Sequence, residues 1–367
     1  MAASPRHEAE PGSGAIAVTS GTVEVVRLDE LADGDLEQWH ALRNANPRLD
    51  SPYFHPAFAR AVHEVATPVH VVVERSEEGV RSLFPGHRLG SQFKPVGWPG
   101  ADFQAPITSL GAPIDPLRVL GATGMRSLEF DHLLDVPGFE AWIESRSDSP
   151  YVDLSGGLEG YVARASRSGK ENMGQARRKT KKAEQAYGPI TFVADSRDAS
   201  LLDELIALKR AQYAATGARD YFAAKERVAL VQRLLRTRVD GFAGILSTVH
   251  AGTRLVAAHF GIRSGGVLHW WFPVYDPELA GFAPGWILLR ELAAAAPSLG
   301  VARLDLGRGD DEYKRRAKTG ETVVCQGFVT SSRAALATRH VRSAIVGAAR
   351  SSSAFRRTAR AVRRRRH

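Results

Sequence analysis

The stretch from His269 to Lys314 constrains the fold more than any other part of the chain. Strand-like residues up to Val274 enter a Gly/Pro loop, Tyr275-Asp-Pro-Glu-Leu-Ala-Gly-Phe-Ala-Pro-Gly285. A Leu- and Ala-rich helical segment follows from Pro284 to Ala296, with the proline in its first turn, and then a short buried-strand pattern from Ala302 to Leu306. Strand, helix and strand in that order make a βαβ crossover, which predicts that the two strands lie parallel in one sheet. The first N–H groups of such a helix have no partner within it, so they point into the loop and favour an anion. The expectation is an α/β protein with a ligand crevice at the carboxyl ends of these strands.

The remaining residues extend this reading. A chain of 367 residues, 44% apolar and 24% charged, has room for two domains and the composition of a globular protein. Residues 1–20 read as a disordered leader. Strands are predicted at Gly21–Leu28, Val69–Glu74, Val80–Pro85, Ser127–Leu133 and Tyr151–Leu154. Helices are predicted at Leu31–Asn44, just after Ser51-Pro-Tyr-Phe-His-Pro, and over Pro137–Ser145, while the Gly/Pro-rich stretch 90–116 reads as loop. From Gly160 the pattern turns helical until Gly188-Pro189 stops it. A strand Ile190–Ala194, helices Leu201–Ala215 and Val228–Arg236, and strands Phe242–Val249, Leu255–Ile262 and Val267–Val274 follow. A short helix over Asp310–Arg316 and a last strand over Val323–Thr330 close the pattern. Two units result, 21–159 and 160–330, with an Arg-rich tail over 331–367.

Charge is distributed unevenly. The tail holds eleven arginines and no acid, and subtracting them from the total of +9 leaves −2 for the first 330 residues. A second cluster, Arg164, Arg167, Lys170, Arg177, Arg178, Lys179, Lys181 and Lys182, is opposed only by Glu171. It reads as a solvated helix face or as a site for a phosphate, an RNA or an anionic lipid. The tail, with Ile345 and Phe355 among its arginines, suits peripheral contact with an anionic membrane; nucleic acid is compatible but not favoured. The opening residues lack a basic leader and an apolar segment, so a cytoplasmic location is expected. The single cysteine, Cys325, lies in an apolar run and reads as core. Gly307-Arg-Gly is too short for a dinucleotide fingerprint, and neither a phosphate-loop motif nor a metal-binding spacing occurs, so no metal is expected.

Three features carry a resemblance: Tyr275-Asp276-Pro277 with Pro284-Gly285 and its helix; Asp305-Leu-Gly-Arg-Gly-Asp310 with Tyr313-Lys314; and Gly169-Lys-Glu-Asn-Met-Gly-Gln-Ala-Arg-Arg-Lys179 ahead of the Gly188 turn. At these residues the chain resembles the GNAT superfamily of acyltransferases, and within it the bacterial CelD-like acetyltransferases of polysaccharide biosynthesis. The likeness is good over about 160–330 and vaguer before. It implies two tandem GNAT-like lobes, each a mixed, largely antiparallel sheet flanked by helices. It also implies acetyl-CoA or another acyl-CoA in a splayed sheet, its pyrophosphate on the backbone of Phe282, Ala283, Gly285 and Trp286, with Pro284 offering only a carbonyl. Aligning Gly285 with the end of the superfamily loop puts Ala280 and Ala283 at its other two marked positions, without the usual Arg or Gln. FemAB-like relatives, which keep the two-lobed fold but use aminoacyl-tRNA, therefore stay open.

The same resemblance implies Tyr313 as the acid for the leaving thiolate. Asp310 or His259 would take the amine proton, and Lys314, Asp276 and Asp102 would contact the acceptor. Each has a plainer alternative: Tyr313 as a packed ring, His259 as a hydrogen-bonded core histidine, Asp276 as a turn former, Asp310 as a helix cap, Lys314 as a solvated amine, and the Asp102 loop as purely structural. The function expected is an N-acyltransferase acting on an amine, in saccharide chemistry at the cell surface. A FemAB-like aminoacyltransferase and a non-catalytic scaffold for anionic polymer or membrane are the alternatives.

Overall fold

Alternating residues of the first strand, β1 (Thr22–Arg27), lead through a helix α1 (Asp33–Ala45) to α2 (Pro56–Val65). Pro56 occupies the first turn of α2, and His55 caps it by accepting the Ala57 N–H at 3.1 Å. Strands β2 (His70–Ser76), β3 (Gly79–Leu89), β4 (Gln92–Pro95) and β5 (Ile107–Thr108) precede α3 (Pro116–Thr123), β6 (Ser127–Leu134) and β7 (Ile143–Asp153). The second half opens with α4 (Gly157–Arg164), α5 (Arg167–Tyr187), β8 (Ile190–Ser196), α6 (Ala199–Thr216) and α7 (Lys225–Arg236). Then come β9 (Arg238–Val239), β10 (Phe242–Ala251), β11 (Arg254–Ser264), β12 (Val267–His269) and β13 (Phe272–Tyr275). The chain continues through α8 (Pro284–Ala295), β14 (Arg303–Asp305), α9 (Glu312–Ala317) and β15 (Gly320–Val329). This computed structural model describes residues 21–332 with 334, 335 and 339; the predicted leader and nearly all of the tail lie outside the described residues.

The strands form one mostly antiparallel sheet in the order β1-β2-β3-β4-β6-β15-β7-β14-β12-β11-β10-β8, with β5 on β3, β9 on β10 and β13 on β11. The fold is mixed α/β, with helices flanking the sheet. The parallel pair predicted for the βαβ unit is present, Val267 to His269 running alongside Arg303 to Asp305. The two halves interlock. β15, last in the chain, inserts between β6 and β7, and β7 of the first half pairs with β14 of the second. A cut between residues 159 and 160 therefore does not divide the sheet.

Three local expectations are corrected. Pro137–Ser145 is not a helix: only Glu140–Trp142 makes a 3-10 turn, and β7 starts at Ile143 because its backbone is hydrogen-bonded by β15. The stretch 90–116 contains β4 and β5, which pair with β3 and escape a reading dominated by Gly and Pro. The run Val267–Val274 is broken at Trp270 and Trp271, since β12 pairs with β14 whereas β13 pairs with β11.

Apolar side chains collect in two cores. One joins the first half to α6 and α7, through Trp39, Phe58 and Phe84 on one side and Leu205, Leu234 and Phe272 on the other. The other lies under α4, α5 and α8, where Ile287, Leu288 and Leu292 pack on Leu304 and Met173. Each buried leucine contributes about 2 kcal/mol from apolar burial. On α5 the buried residues Gly169, Met173, Ala176 and Ala183 recur at helical spacing and turn the basic residues outward. Cys325 is core, as expected.

Candidate active site

The parting of β12 and β13 creates the site. Trp270 still donates its N–H to the Asp305 carbonyl at 2.7 Å, after which β13 swings onto β11 and leaves β14 behind. A pocket of about 330 Å³ opens in this gap. Trp270, Pro273, Val274 and Tyr275 form one wall, and Leu306 and Tyr313 another. The start of α8, from Ala283 to Trp286, closes one end, and Lys209 and Gln212 of α6 reach in opposite.

At the start of α8 the expected cradle of amides is reduced. The Ala283 N–H donates to Ala280 O at 3.0 Å and the Trp286 N–H to Ala283 O at 3.0 Å, so both are spent within the chain. Phe282 packs edge-on against Tyr187 and is not part of the pocket wall. Pro284 has no N–H. Gly285 remains: among the described residues its N–H has no acceptor, it is exposed, and a Cβ added there would meet nothing within 4 Å. Ala283 has φ 53° and ψ 53°, the one left-handed non-glycine residue among those described. That conformation turns the 3-10 turn Pro277–Phe282 into α8 and costs an alanine about 1 kcal/mol.

Tyr313, 38% exposed, presents its side chain to the pocket. Burial, then the charges of Asp311 and Asp102, push its hydroxyl above the usual phenol range, so it holds its proton at any ordinary pH. Lys209 donates to Pro273 O at 2.8 Å. Burial, helped by the positive charge of Lys314, lowers its ammonium to about 8. Gln212 carries a buried Oε1 with no hydrogen-bond partner. Sequence reasoning missed Lys209 and Gln212. The only available signal was a lysine directly after the apolar run Leu205, Ile206, Leu208 on one helix.

Residues 170–315 match the acetyltransferase (GNAT) domain family. No curated protein matches the sequence. Among solved structures, FemX superposes with a TM-score of 0.54 at 8% identity, covering 80% of this chain and 94% of that one. A conserved protein of unknown function from Bacteroides thetaiotaomicron VPI-5482 gives 0.51 at 11% identity, covering 79% and 97%. A tandem GNAT protein from the clavulanic acid biosynthesis pathway is 13% identical over 85% of this chain and 99% of its own, with a TM-score of 0.47. At these identities the likeness to the first two is one of fold. The GNAT match supports an acyltransferase.

Of the other expected residues, none lines the pocket between β13 and α8. His259 is fully buried on β11, stacked on Trp270 at 4.4 Å, its Nε2 facing the His269 carbonyl at 3.1 Å. Burial lowers it to about 3, so it is a neutral core ring one layer behind the pocket wall. Asp276 accepts the Glu278 N–H at 2.9 Å and pairs with Arg254 at 2.5 Å, the work of a turn. Lys314 is buried and spends its ammonium on the carbonyls of Gly307 and Arg308, at 3.1 and 2.9 Å. Asp310 is exposed and faces a different cavity beside Arg308 and Arg315; the residue before α9 is Asp311, not Asp310.

Asp102 binds the chain's own histidines. Its Oδ2 lies 2.8 Å from His269 Nε2 and its Oδ1 3.6 Å from His132 Nε2. Burial pushes this carboxyl up, but the hydrogen bond and charge of His269 outweigh that and hold it below the ordinary value. It ties the first-half loop to β12 behind the pocket. Trp271 reinforces the tie by donating Nε1–H to Gly100 O at 3.0 Å.

Proposed function

We propose that this chain is a GNAT-type N-acyltransferase that takes an acyl group from acetyl-CoA or another acyl-CoA and passes it to the amine of a saccharide in cell-surface polysaccharide assembly. The observation that carries the reading is one pocket bounded by the unpaired N–H of Gly285, the protonated hydroxyl of Tyr313 and the depressed amine of Lys209. The residues fit the carrier in reduced form. Gly285 N–H, at the positive end of α8, would meet a phosphate oxygen, and the open space above the glycine admits it. Acyl-CoA, when bound, supplies a thioester whose carbonyl carbon an amine can attack.

The chain's own groups do the rest. Lys209, neutral in part near pH 8, takes the proton that the acceptor ammonium must lose. Tyr313 holds a proton at its hydroxyl and delivers it to the departing sulfur. Trp270, Trp286 and Leu306 line the pocket with apolar surface, which limits hydrolysis. In this reading Lys209 replaces Asp310 and His259 as the base. Asp276 and Lys314 hold loops, and Asp102 holds the two halves together.

A second reading, transfer from aminoacyl-tRNA, is favoured by α5. Lys170, Arg177, Arg178, Lys181 and Lys182 have no ion-pair partner among the described residues. Such a row of cations reads phosphate charge. The two readings separate in one assay: the protein with acetyl-CoA and a panel of amino sugars, monitored for free thiol. Amine-dependent thiol release is expected. No release with any acyl-CoA, together with transfer from charged tRNA, would replace the first reading by the second.

A further inference from the structure

A larger cavity lies away from the pocket described above. It measures about 590 Å³ and is enclosed by α1, the start of α2, the end of α7 and the turn between β9 and β10, so both halves of the chain contribute to it. Its charged lining is mostly cationic: Arg43 from α1, Arg60 from α2 and Arg233 from α7, against a single acid, Asp240, with the rings of His40 and His55 beside them. Arg233 is already matched, by Glu64 at 2.5 Å. The other two arginines are not. Arg43 donates to the Asp50 carbonyl at 3.2 Å and to Ser264 Oγ at 2.6 Å, both neutral acceptors, and its buried Nε has no partner. The Arg60 side chain makes no hydrogen bond or ion pair to any described residue.

The histidines of this cavity do not supply its charge. His55 accepts the Ala57 N–H at Nδ1, which leaves the ring proton on Nε2, facing the Asp240–Gly241 turn. Burial, with Arg43 and His40 nearby, lowers it to about 3, against a smaller opposite push from the Asp240 backbone carbonyl that its Nε2–H faces. His40, 5.3 Å away ring to ring, is lowered by burial and by Arg43 and Arg60, against a smaller opposite push from Asp240. Both rings are therefore neutral near pH 7, and with the His55 proton turned to the Asp240 backbone it is His40 that offers an N–H beside permanently charged guanidinium groups. Arg43, part-buried with its Nε unpartnered, and the free guanidinium of Arg60 leave positive charge facing this space for an anion to meet, and planar guanidinium groups suit the oxygens of a phosphate.

We infer that this inter-half cavity binds a phosphate-bearing small molecule, held by Arg60 and Arg43 with His40 as a neutral donor. The site shares no lining residue with the pocket at α8, so it is separate from the acyl-transfer site. The volume exceeds what a bare phosphate fills and falls within the range of small-molecule sites, which points to the phosphate of a larger molecule rather than the free ion.

The test is calorimetric titration of the full chain with inorganic phosphate and, separately, with glucose 6-phosphate, repeated on Arg60→Gln. Arg60 is exposed and unpartnered, so its replacement leaves the fold intact, which an unchanged unfolding midpoint verifies. Arg43 is unsuitable because it also holds Asp50 and Ser264. Saturable binding weakened about tenfold in Arg60→Gln and unchanged in Gly285→Glu is expected. Tighter binding of the sugar phosphate than of inorganic phosphate is expected, and equal binding of the two would overturn the assignment to a larger molecule. Absence of saturable binding, or equal affinity in Arg60→Gln, would overturn the inference, as would loss in Gly285→Glu alone.

Discussion

Asp102 and His269 meet at 2.8 Å, a carboxylate on a first-half loop against a fully buried ring of β12. Gly307 is required beside them: its φ is 73°, and a Cβ there would lie 2.6 Å from the Asp102 carboxylate. Removing the carboxylate leaves His269 Nε2 buried without a partner, which costs about 2 kcal/mol. Asp102→Ala should lower the urea midpoint accordingly, with Asp102→Asn milder. An unchanged midpoint would mean that the tie between the halves does not depend on this pair.

Gly285→Glu places a carboxylate where the one free amide of α8 points. Because nothing lies within 4 Å of the added Cβ, the protein should fold normally. Loss of CoA binding by at least about tenfold is expected, from charge repulsion against the pyrophosphate. Equilibrium binding of CoA measures it, and retained affinity would remove α8 from the proposed cofactor site.

Ala283→Gly tests the bend before α8. Glycine adopts φ 53° without the steric cost alanine bears there, although it adds freedom to the unfolded chain. The net expectation is stabilisation by about 0.5 kcal/mol, seen as a raised thermal midpoint. A lowered midpoint would mean that the alanine methyl is needed in the pocket wall.

Lys209 sets a pH dependence. Its amine acts as a base only when unprotonated, so the rate should rise with pH and level off above about 8. Lys209→Met should abolish that limb and slow turnover by about 100-fold. A pH profile of thiol release decides it: the same limb in the variant assigns the titration elsewhere.

Acid should weaken the fold through His55 and His259. Each is held neutral down to about 3 in the folded chain, against 6.5 for a free ring. Below 6.5 the unfolded chain therefore binds more protons, so stability falls with falling pH. The full contribution remains above 6.5, and each ring removes about 1.4 kcal/mol per pH unit on the way down. His55→Asn keeps an acceptor for the Ala57 N–H while deleting one titration. Its stability should decline less steeply between pH 6.5 and 3 in denaturant titrations; an identical slope would clear His55.

The site was legible in the sequence where its features are local. Pro284 at a helix start, the Gly188-Pro189 stop and the strand–helix–strand order all follow from backbone constraints and apolar periodicity within a few residues. Tyr313 is reached through the resemblance carried by Asp305–Asp310 with Tyr313-Lys314, not through backbone constraint, and it lines the pocket. Lys314, its neighbour, looked equally available, yet only the folded loop reveals that Gly307 and Arg308 carbonyls consume its ammonium.

What tertiary structure alone decided is which distant groups meet. Lys209 reaches the pocket because α6 crosses β13, His259 is lost to it because Trp270 covers the ring, and β15 threads between β6 and β7. Periodicity tells a segment which face to bury but not against what. The partner is chosen by packing the whole sheet, and the same packing determines which amides, amines and carboxylates have bonds left to offer.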